Sequence, residues 1–386
     1  MSSGEETRDG ELRARIGINA HLIADEASYR RAGIHQYIAR VLDHLPPVSS
    51  ASQYVVYTRH APKLANRAGF VVQRSRWPTE RRLVRIAWEQ AAWPILAAQD
   101  KLDLLHSTAF VTPVLSGIPA VITVFDLSFM HYPDSFPPLQ RAYLQSQTAR
   151  SLRKAQRVIT ISESGRADVQ QLFQVPEDQI DVVLPGVEPQ FRPLPTAEVA
   201  EFRRCEGLPE KVILHVGTLQ PRKNIPVLLE ALARIKRPDL LLVLVGGKGW
   251  LYEDIFARVV ALGLEKQVRF SGYVDDENLP LWYNAATLLA FPSVYEGFGL
   301  PVVEAMACGA PVIAARSSSI PEAGGDAALY FNPNDVEELA AHITAVLDDD
   351  DLAVSMRDSG LKQARRFSWQ KAGEETARVY KRALAK

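Results

Sequence analysis

The first half of the chain alternates short apolar runs with longer stretches in which apolar residues recur at helical spacing. The apolar runs predict strands at 15–20, 53–58, 102–107, 120–126, 157–162 and 179–185. Helices are predicted between them at 33–45, 81–99 and 138–155. Continuous apolar strands that alternate with helices are typical of a parallel sheet covered on both faces.

The segment 185–199 interrupts this pattern, because it contains four prolines and no apolar periodicity. It therefore predicts a linker. The alternation then starts again, with strands predicted at 211–219, 240–247, 267–274, 286–293, 310–315 and 327–331. The helices predicted in this half lie at 224–236, 251–262, 277–284 and 335–348.

Two doubly wound α/β domains follow from this pattern. We expect a disordered tail over 1–14, a first domain over 15–187, a second domain over 188–369 and a last helix over 370–386 that packs back on the first domain. In such sheets, ligands bind outside the carboxyl ends of the strands. The cleft between the two domains is therefore the expected site.

Composition narrows the class of protein. At 386 residues the chain is long enough for two full cores, and 47% hydrophobic with 23% charged residues is typical of a globular protein. A net charge of −1 gives no indication of nucleic acid as a partner. Two cysteines form no disulfide framework or metal-ligand spacing, and no apolar run approaches the ~18 residues of a membrane-spanning helix. We expect a cytoplasmic protein, either soluble or peripheral to the inner face of the membrane.

A glycine-rich turn, EGFGL at 296–300, lies between a predicted strand and a predicted helix. Pro301 suits a first helical position, so Gly297–Gly299 lie at a helix N-terminus, where free N–H groups bind anions. Glu296 and Glu304 flank this turn, and acidic residues gain about 0.3–1 kcal/mol from a helix dipole without any further function. The dipole does not explain the glycines, which let a ligand approach the backbone closely.

A second candidate loop is VGTLQPRKN at 216–224, which follows the first strand of the second domain. Arg222 and Lys223 precede a predicted helix, so a diphosphate there would meet a guanidinium fork, an ammonium and a helix N-terminus. Gly217 would let the chain approach the ligand. The alternative is a solvated Arg-Lys pair on a turn. The nearby GGKG at 246–249 matches neither a P-loop nor a dinucleotide fingerprint.

Taken in order, the motifs resemble those of the retaining GT-B glycosyltransferases of family GT4. Glu296 and Glu304 match the family's E-x7-E motif. The other segments that carry the resemblance are GINAHL, RAGIHQYI, LLHS, VFDLSF, VITISESG, LPGVE, VGTLQPRKN, LVLVGG and SGYV. The resemblance covers about 15–370 and implies the GT-B fold, two Rossmann-like domains with a cleft between them.

The resemblance also implies donor-binding roles. Glu304 would hold the ribose hydroxyls of a nucleotide-sugar, and Glu296 would meet hydroxyls of the donor sugar. The other implied donor-binding residues lie in the glycine turn, the phosphate loop, a glycine loop of the first domain and a base-contacting segment: Gly297, Phe298, Gly299, Leu300, Gly217, Arg222, Lys223, Gly33, Tyr273 and Val274. For Gly33, a simple helix N-cap is an equal alternative.

Four residues are implied in catalysis: Asp126, Glu296, Arg222 and Lys223. Many relatives have His-Asp where this chain has Phe125-Asp126, which leaves Asp126 to orient the acceptor hydroxyl. His106 and His131 are interpreted as structural residues rather than bases. No D-x-D motif lies in a cleft loop, and the acidic run 348–351 predicts a solvated helix end. We expect no metal and no cofactor.

The function implied is retaining transfer of a hexose, with mannose from GDP-mannose as the preferred donor, to a glycan or lipid-linked acceptor in surface polysaccharide synthesis. One alternative is a sugar-nucleotide epimerase or other GT-B enzyme that acts on the donor alone. A glycoside hydrolase using Glu296 and Glu304 as an acid–base pair and a simple sugar-nucleotide-binding module are the others.

The segment 74–93 is rich in arginine and tryptophan. Arginine is frequent between 74 and 85, where Glu80 is the only acidic residue. Trp77, Trp88 and Trp93 are interleaved with these arginines or follow them. A basic, aromatic helix suits a membrane surface or an anionic lipid-linked acceptor. A solvated face over a tryptophan-rich core explains the same pattern, and the sequence leaves both open.

Overall fold

The computed structural model describes residues 14–23, 33–47, 52–60 and 64–385. Apart from residue 14, the predicted tail 1–14 lies outside these ranges. The chain divides into two compact units, one formed by Met1–Pro185 together with Trp369–Lys386 and the other by Gly186–Ser368.

The first unit is built on a parallel sheet. Its described strands are β1 (Arg15–Asn19), β2 (Gln53–Thr58), β3 (Phe70–Arg74), β4 (Leu104–Ser107), β5 (Ala120–Val124), β6 (Arg157–Thr160) and β7 (Ile180–Val182). Their order in the sheet is β3-β2-β1-β4-β5-β6-β7. The order reverses direction between β1 and β4, which is the position where open α/β sheets bind ligands.

Helices and turns connect these strands. The described helices are α1 (Ile34–His44), α2 (Arg82–Ala87), α3 (Trp93–Gln99), α4 (Ser128–His131), α5 (Pro138–Lys154) and α6 (Glu163–Phe173). A π-helical turn, Trp88–Ala92, joins α2 to α3. Short 3-10 turns lie at Leu64–Asn66, Pro133–Ser135 and Glu177–Gln179.

The second unit repeats the architecture. Its strands are β8 (Lys211–Val216), β9 (Leu240–Val245), β10 (Val268–Gly272), β11 (Leu288–Phe291), β12 (Val312–Ala315) and β13 (Ala328–Phe331), ordered β10-β9-β8-β11-β12-β13. Its helices are α7 (Thr196–Cys205), α8 (Ile225–Ile235), α9 (Glu253–Ala261), α10 (Leu279–Ala285), α11 (Leu300–Ala307), α12 (Ile320–Gly324), α13 (Val336–Asp348) and α14 (Asp350–Ala364), with 3-10 turns at Pro221–Lys223 and Gly325–Ala327.

The central strands are buried on both faces, which is why their sequences are apolar without alternation. Every residue of β5, β9, β11 and β12 is buried. The predicted parallel α/β architecture is therefore confirmed in both units. None of the helices in the described part of the chain is long and apolar enough to cross a membrane.

The structure also departs from the sequence prediction. The strand β3 was not predicted, because it is an edge strand in which only Phe70 is buried. The predicted linker 185–199 contains the first turn of α7. The run 348–351 is more than a solvated helix end: the Asp349 carboxylate accepts a hydrogen bond of 2.9 Å from the Leu352 N–H and caps α14, which was not predicted.

The last helix, α15 (Trp369–Leu384), belongs to the first unit. It packs along α1, and its Tyr380 hydroxyl lies 2.7 Å from the Nδ1 of His106 on β4. Gly373 faces the C-terminal end of α1, where a Cβ atom on this residue would lie 2.2 Å from the carbonyl oxygen of His44. The two helices can approach this closely only because residue 373 has no side chain.

We predict that Gly373→Ala destabilises the first unit by about 1–3 kcal/mol, because the new methyl group must push α15 away from a backbone carbonyl. This exceeds the gain of about 1 kcal/mol that alanine brings to a helix interior. Thermal unfolding measures the effect. The control is Gly117→Ala, since a Cβ at this exposed glycine meets no atom within 4 Å. Equal unfolding temperatures for the two variants would contradict the close contact.

Candidate donor-binding site

Two loops of the second unit lie at the same edge of its sheet. One loop follows β8 and contains the Pro221–Lys223 turn, and the other follows β11 and ends where α11 begins. β8 and β11 are neighbouring parallel strands, with Leu214 paired to Leu289. Since parallel strands have their carboxyl ends at one edge, the phosphate loop and the glycine turn predicted from sequence come together there.

A partly buried ion cluster joins these loops. The Glu296 carboxylate accepts a hydrogen bond of 2.8 Å from Arg222 Nη1 at its Oε2 and one of 2.5 Å from Lys223 Nζ at its Oε1. The Ser293 hydroxyl donates to the same Oε1 at 2.5 Å. Lys223 is only 6% exposed. The alternatives of a solvated Arg-Lys pair and a solvated Glu296 are therefore wrong.

Glu296 is ionised at neutral pH. Burial by itself would raise the pKa of Glu296, but the charges of Arg222 and Lys223, with the hydrogen bonds from Lys223 and Ser293, outweigh it and lower the pKa to about 2. Two cations then face one anion. The three side chains therefore carry a net positive charge at the edge of the sheet, which favours an anionic ligand.

Two glycines make room for this cluster. A Cβ on Gly217 would lie 3.1 Å from the Lys223 side chain, and one on Gly246 would lie 2.0 Å from the Gly217 carbonyl oxygen. Gly217 therefore allows Lys223 to fold back over the end of β8. Gly246, in the GGKG segment after β9, allows the two strand ends to approach each other.

The glycine turn forms the start of α11. Gly299 is the N-cap residue, with a φ of 113° that favours glycine. Gly297 precedes it on the loop, and Leu300 is the first residue of the helix. The Phe298 side chain is buried against Phe367 with 5.3 Å between ring centroids.

The second glutamate of the motif has a different environment. Glu304 lies inside α11, is 8% exposed, and accepts a hydrogen bond of 2.8 Å from the Tyr283 hydroxyl on α10. Burial raises the pKa of Glu304 to about 7, the charges of Asp276 and Glu188 add to this shift, and the Tyr283 hydrogen bond opposes it. Glu296 and Glu304 therefore have different hydrogen-bond partners, and their pKa values are shifted in opposite directions.

Tyr273 and Val274 directly follow β10, which is separated from β8 by β9. The Tyr273 side chain is 37% exposed. The base-contacting role of Tyr273 and Val274 stays a prediction.

Gly33 and Asp126 belong to the first unit. Gly33 is the N-cap of α1 with a φ of 67°. Asp126 follows β5, and its Oδ1 accepts a hydrogen bond of 2.9 Å from the Ser128 N–H. Phe125 is buried, with its ring centroid 5.2 Å from that of Tyr37, so the residue that replaces the family's histidine belongs to an aromatic cluster.

The histidines of this unit have structural partners. Both ring nitrogens of buried His106 lie within hydrogen-bond distance of a hydroxyl, Tyr380 at 2.7 Å and Thr123 at 2.9 Å. Burial lowers the pKa of His106 to about 3. His131 Nε2 lies 3.1 Å from the Asp168 carboxylate.

Comparison with known proteins gives the family. A sequence model described as "Glycosyl transferases group 1" matches residues 200–363, and one described as "Glycosyltransferase Family 4" matches residues 32–191. The chain is 37% identical over 267 residues to the O-antigen chain mannosyltransferase B of Escherichia coli, which covers 68% of this chain and 70% of the relative. The chain belongs to the group 1 glycosyltransferases.

Solved structures show the fold of this glycosyltransferase. Sucrose-phosphate synthase from Thermosynechococcus elongatus matches with a TM-score of 0.75 at 24% identity, over 97% of this chain and 100% of the other. Anabaena Alr3699/HepE in complex with UDP-glucose matches with a TM-score of 0.74 at 20% identity, over 95% and 99%. The predicted GT-B fold is confirmed.

Three further residues hold this site and were not predicted from the sequence. Three consecutive serines of the glycosyltransferase follow β12 and hold the β11 loop. Ser318 Oγ accepts a hydrogen bond of 2.8 Å from the Glu296 N–H, Ser319 Oγ donates to the Glu296 carbonyl at 2.8 Å, and Ser317 Oγ donates to the Ser293 carbonyl at 2.7 Å. The run of hydroxyls after a buried strand was the signal available in the sequence.

Across residues 14–23, 33–47, 52–60 and 64–385, the structure contains no group of three or more His, Cys, Asp or Glu side chains that could hold a metal ion. Cys205 is exposed and Cys308 is buried, and both are free thiols.

We predict that Glu304→Gln stabilises the protein at pH 8 relative to wild type by about 1–3 kcal/mol, and that the difference fades toward pH 5. The raised pKa means that folding favours the protonated carboxyl. The wild type therefore loses stability as the pH rises from the pKa of Glu304 in the unfolded chain, near 4.5, to its pKa in the folded protein, about 7. Thermal unfolding between pH 5 and pH 8 measures it.

The control for this comparison is Glu265→Gln, which changes an exposed glutamate of the same unit. Its stability relative to wild type should not vary with pH. A Glu304→Gln difference that is equally flat would show that the carboxyl is an ordinary solvated charge.

Proposed function

We propose that the protein transfers a hexose, with mannose from GDP-mannose as the preferred donor, to a glycan or lipid-linked acceptor with retention of configuration and without an essential metal. The net positive ion cluster of Arg222, Lys223 and Glu296 carries the proposal. Support for mannose comes from the Escherichia coli relative, whose name also indicates surface polysaccharide synthesis.

The cluster suits the diphosphate of the donor. A guanidinium and an ammonium provide directional, charge-assisted hydrogen bonds, and the Pro221–Lys223 turn that carries them directly precedes α8. Because Glu296 already orders both cations, a ligand does not have to immobilise two long side chains. Preorganised positive charge of this kind stabilises the negative charge that develops on the leaving diphosphate.

The remaining donor contacts follow from the two glutamates. Glu296 would accept hydrogen bonds from donor-sugar hydroxyls with the capacity left on its ionised carboxylate. Glu304 would accept from the ribose, with Tyr283 fixing its orientation. The backbone of Gly297–Leu300 at the start of α11 would face the sugar and phosphates, with Gly217 and Gly33 near the diphosphate and Tyr273–Val274 near the base.

In the proposed reaction, the acceptor oxygen forms a bond to the anomeric carbon on the face from which the diphosphate departs. The bond between that carbon and the phosphate oxygen breaks with its electron pair staying on the phosphate, and the acceptor proton passes to this oxygen. No strong protein base is then needed. Asp126 would orient the acceptor hydroxyl, so the protein contributes mainly positioning and charge.

The experiment is a thermal-shift screen of wild type with GDP, UDP, ADP and their sugar conjugates in EDTA. We predict a shift with GDP and GDP-mannose. Arg222→Gln should weaken GDP binding about 10–100-fold, the loss expected for one charged hydrogen bond, but leave guanosine binding unchanged. Glu304→Ala should weaken both, because both contain ribose.

Arg258→Gln is the control, since this exposed arginine pairs with Glu230 away from the ion cluster. A shift with UDP compounds alone would replace guanine by uracil in the proposal. No shift with any nucleotide would exclude the transferase proposal, and a requirement for divalent metal would contradict the metal-independent part.

We further propose a peripheral membrane contact through part of 74–93. Trp88 and Trp93 are buried in the core, so for these two residues the core interpretation is correct. Trp77 is 43% exposed and Leu83 is 80% exposed, next to the basic residues Arg76, Arg81 and Arg82. An exposed apolar pair amid arginines fits an anionic bilayer surface.

We predict that the wild type sediments with vesicles of phosphatidylcholine and phosphatidylglycerol at 3:1 and that Leu83→Asp reduces the bound fraction about threefold or more. Aspartate is tolerated in the first turn of α2, so the fold should be kept. The control is Val354→Asp, which charges an exposed site on α14 of the second unit. Equal binding by both variants would refute a contact through this segment.

A further inference from the structure

The π-helical turn Trp88–Ala92 places the side chain of a glutamate, Glu89, in the core of the first unit. Glu89 is only 9% exposed, and Trp88 beside it is 1% exposed. Helical turns of this type are rare and occur frequently at functional sites, because the extra residue per turn redirects a side chain. A buried carboxylate is costly unless its oxygens are bonded.

The compensation of Glu89 is incomplete. Asn19, the last residue of β1, donates from its Nδ2 to Glu89 Oε1 at 3.1 Å, and Arg85 Nε lies 3.9 Å from the same oxygen. Within the described ranges, no donor is bonded to Oε2. Burial raises the pKa of Glu89 to about 7, although Arg85 and Asn19 act against this shift.

Other buried polar atoms of the first unit also lack hydrogen-bond partners. Within the described part of the chain, His21 Nε2, Ser107 Oγ and Tyr143 Oη are buried and form no hydrogen bond. The other nitrogen of His21 lies 2.9 Å from the Thr79 hydroxyl, and its ring contacts Trp88 at a centroid distance of 4.0 Å. Buried polar atoms in proteins are nearly always bonded, so these unbonded atoms require an explanation.

The strand ends place Ser107 beside Asn19, the residue that bonds to Glu89. Ser107 at the end of β4 pairs in register with Asn19 at the end of β1, so both side chains lie on the same sheet face. Burial raises the pKa of the Tyr143 hydroxyl, and the Glu89 charge adds to this shift. The carboxyl ends of β1 and β4 are also the switch point of this sheet, where ligands bind.

The chemistry of the cluster selects its ligand. It offers a carboxylate oxygen as acceptor, two hydroxyls that donate and accept, and an imidazole nitrogen. A phosphate or carboxylate ligand would be repelled by Glu89. A molecule with several neutral hydroxyl groups matches every one of these atoms.

We propose that Glu89, held by Asn19 and flanked by His21, binds hydroxyl groups of the acceptor's terminal sugar. The identification of the ligand as the acceptor rests on the proposed glycosyl transfer. The residues of the binding site itself all belong to the first unit. Glu89 then acts as a specificity residue, whereas the ion cluster of the second unit serves the donor.

A purely structural role and a ligand-binding role of Glu89 differ in what they predict for glycoside binding. If Glu89 only tied the π-helical turn to β1, Glu89→Gln would leave glycoside binding unchanged. A carboxylate kept for ligand binding at a cost in stability gives an unchanged or higher unfolding temperature when it is replaced. The amide oxygen of glutamine still accepts from Asn19.

The test uses the full chain and methyl α-D-mannopyranoside, methyl α-D-glucopyranoside and methyl β-D-N-acetylglucosaminide as probes, with binding measured by saturation-transfer NMR titration. We expect the wild type to bind at least one of these glycosides. Glu89→Gln should raise its Kd at least tenfold, with an unchanged or higher unfolding temperature. Glu80→Gln, an exposed glutamate of the same unit paired with Arg59, should bind like the wild type.

Unchanged binding in Glu89→Gln, or no binding of any glycoside by the wild type, would overturn the proposal. His21→Gln gives an independent variant if Glu89→Gln does not fold, with at least a threefold rise in Kd expected. GDP binding is measured in parallel and should be the same in all these variants. Absence of GDP binding in wild type counts against the donor function alone, because the glycoside comparison needs no nucleotide.

Discussion

The ion cluster of Glu296, Arg222 and Lys223 is the interaction on which the second unit's site depends. Removing Glu296 would leave Arg222 and Lys223 facing each other without an anion, which costs more free energy than the ion pairs contribute. The cluster also fixes geometry, because it joins the loop after β8 to the loop after β11. The serines after β12 add a third loop to the same assembly.

The sequence predicted those parts of the site that are local. A strand, a glycine turn and a helix start follow each other within 291–315, so the position of the turn and of Gly299 could be inferred from residue types alone. The pairing of Glu296 with Lys223 spans 73 positions, and no local pattern contains it. The opposite pKa shifts of Glu296 and Glu304 likewise depend on the tertiary environment: burial raises the pKa of Glu304, whereas for Glu296 the charges of Arg222 and Lys223 outweigh burial.

The same distinction applies to the fold. Buried strands such as β9 were predicted because their apolar runs are continuous, whereas the edge strand β3 has only one buried residue and gave no such signal. A helix over 81–99 was correct in type, but a 3.6-residue period cannot reveal a π-helical turn. That turn decides that Glu89 faces inward, so the sequence alone gave no reason to single it out.

The return of α15 to the first unit has a consequence for biosynthesis. The strands and helices of the first unit up to residue 185 are synthesised before the second unit. Tyr380 and Gly373, which complete the packing against β4 and α1, are synthesised only after the second unit. At about 5–20 residues per second, synthesis of 186–368 takes roughly 10–40 seconds. During that interval, His106 lacks the hydroxyl of Tyr380, and α1 lacks the helix α15 that packs along it. The second unit, contiguous in the chain, can complete its fold before the first, so the order of folding is not the order of synthesis.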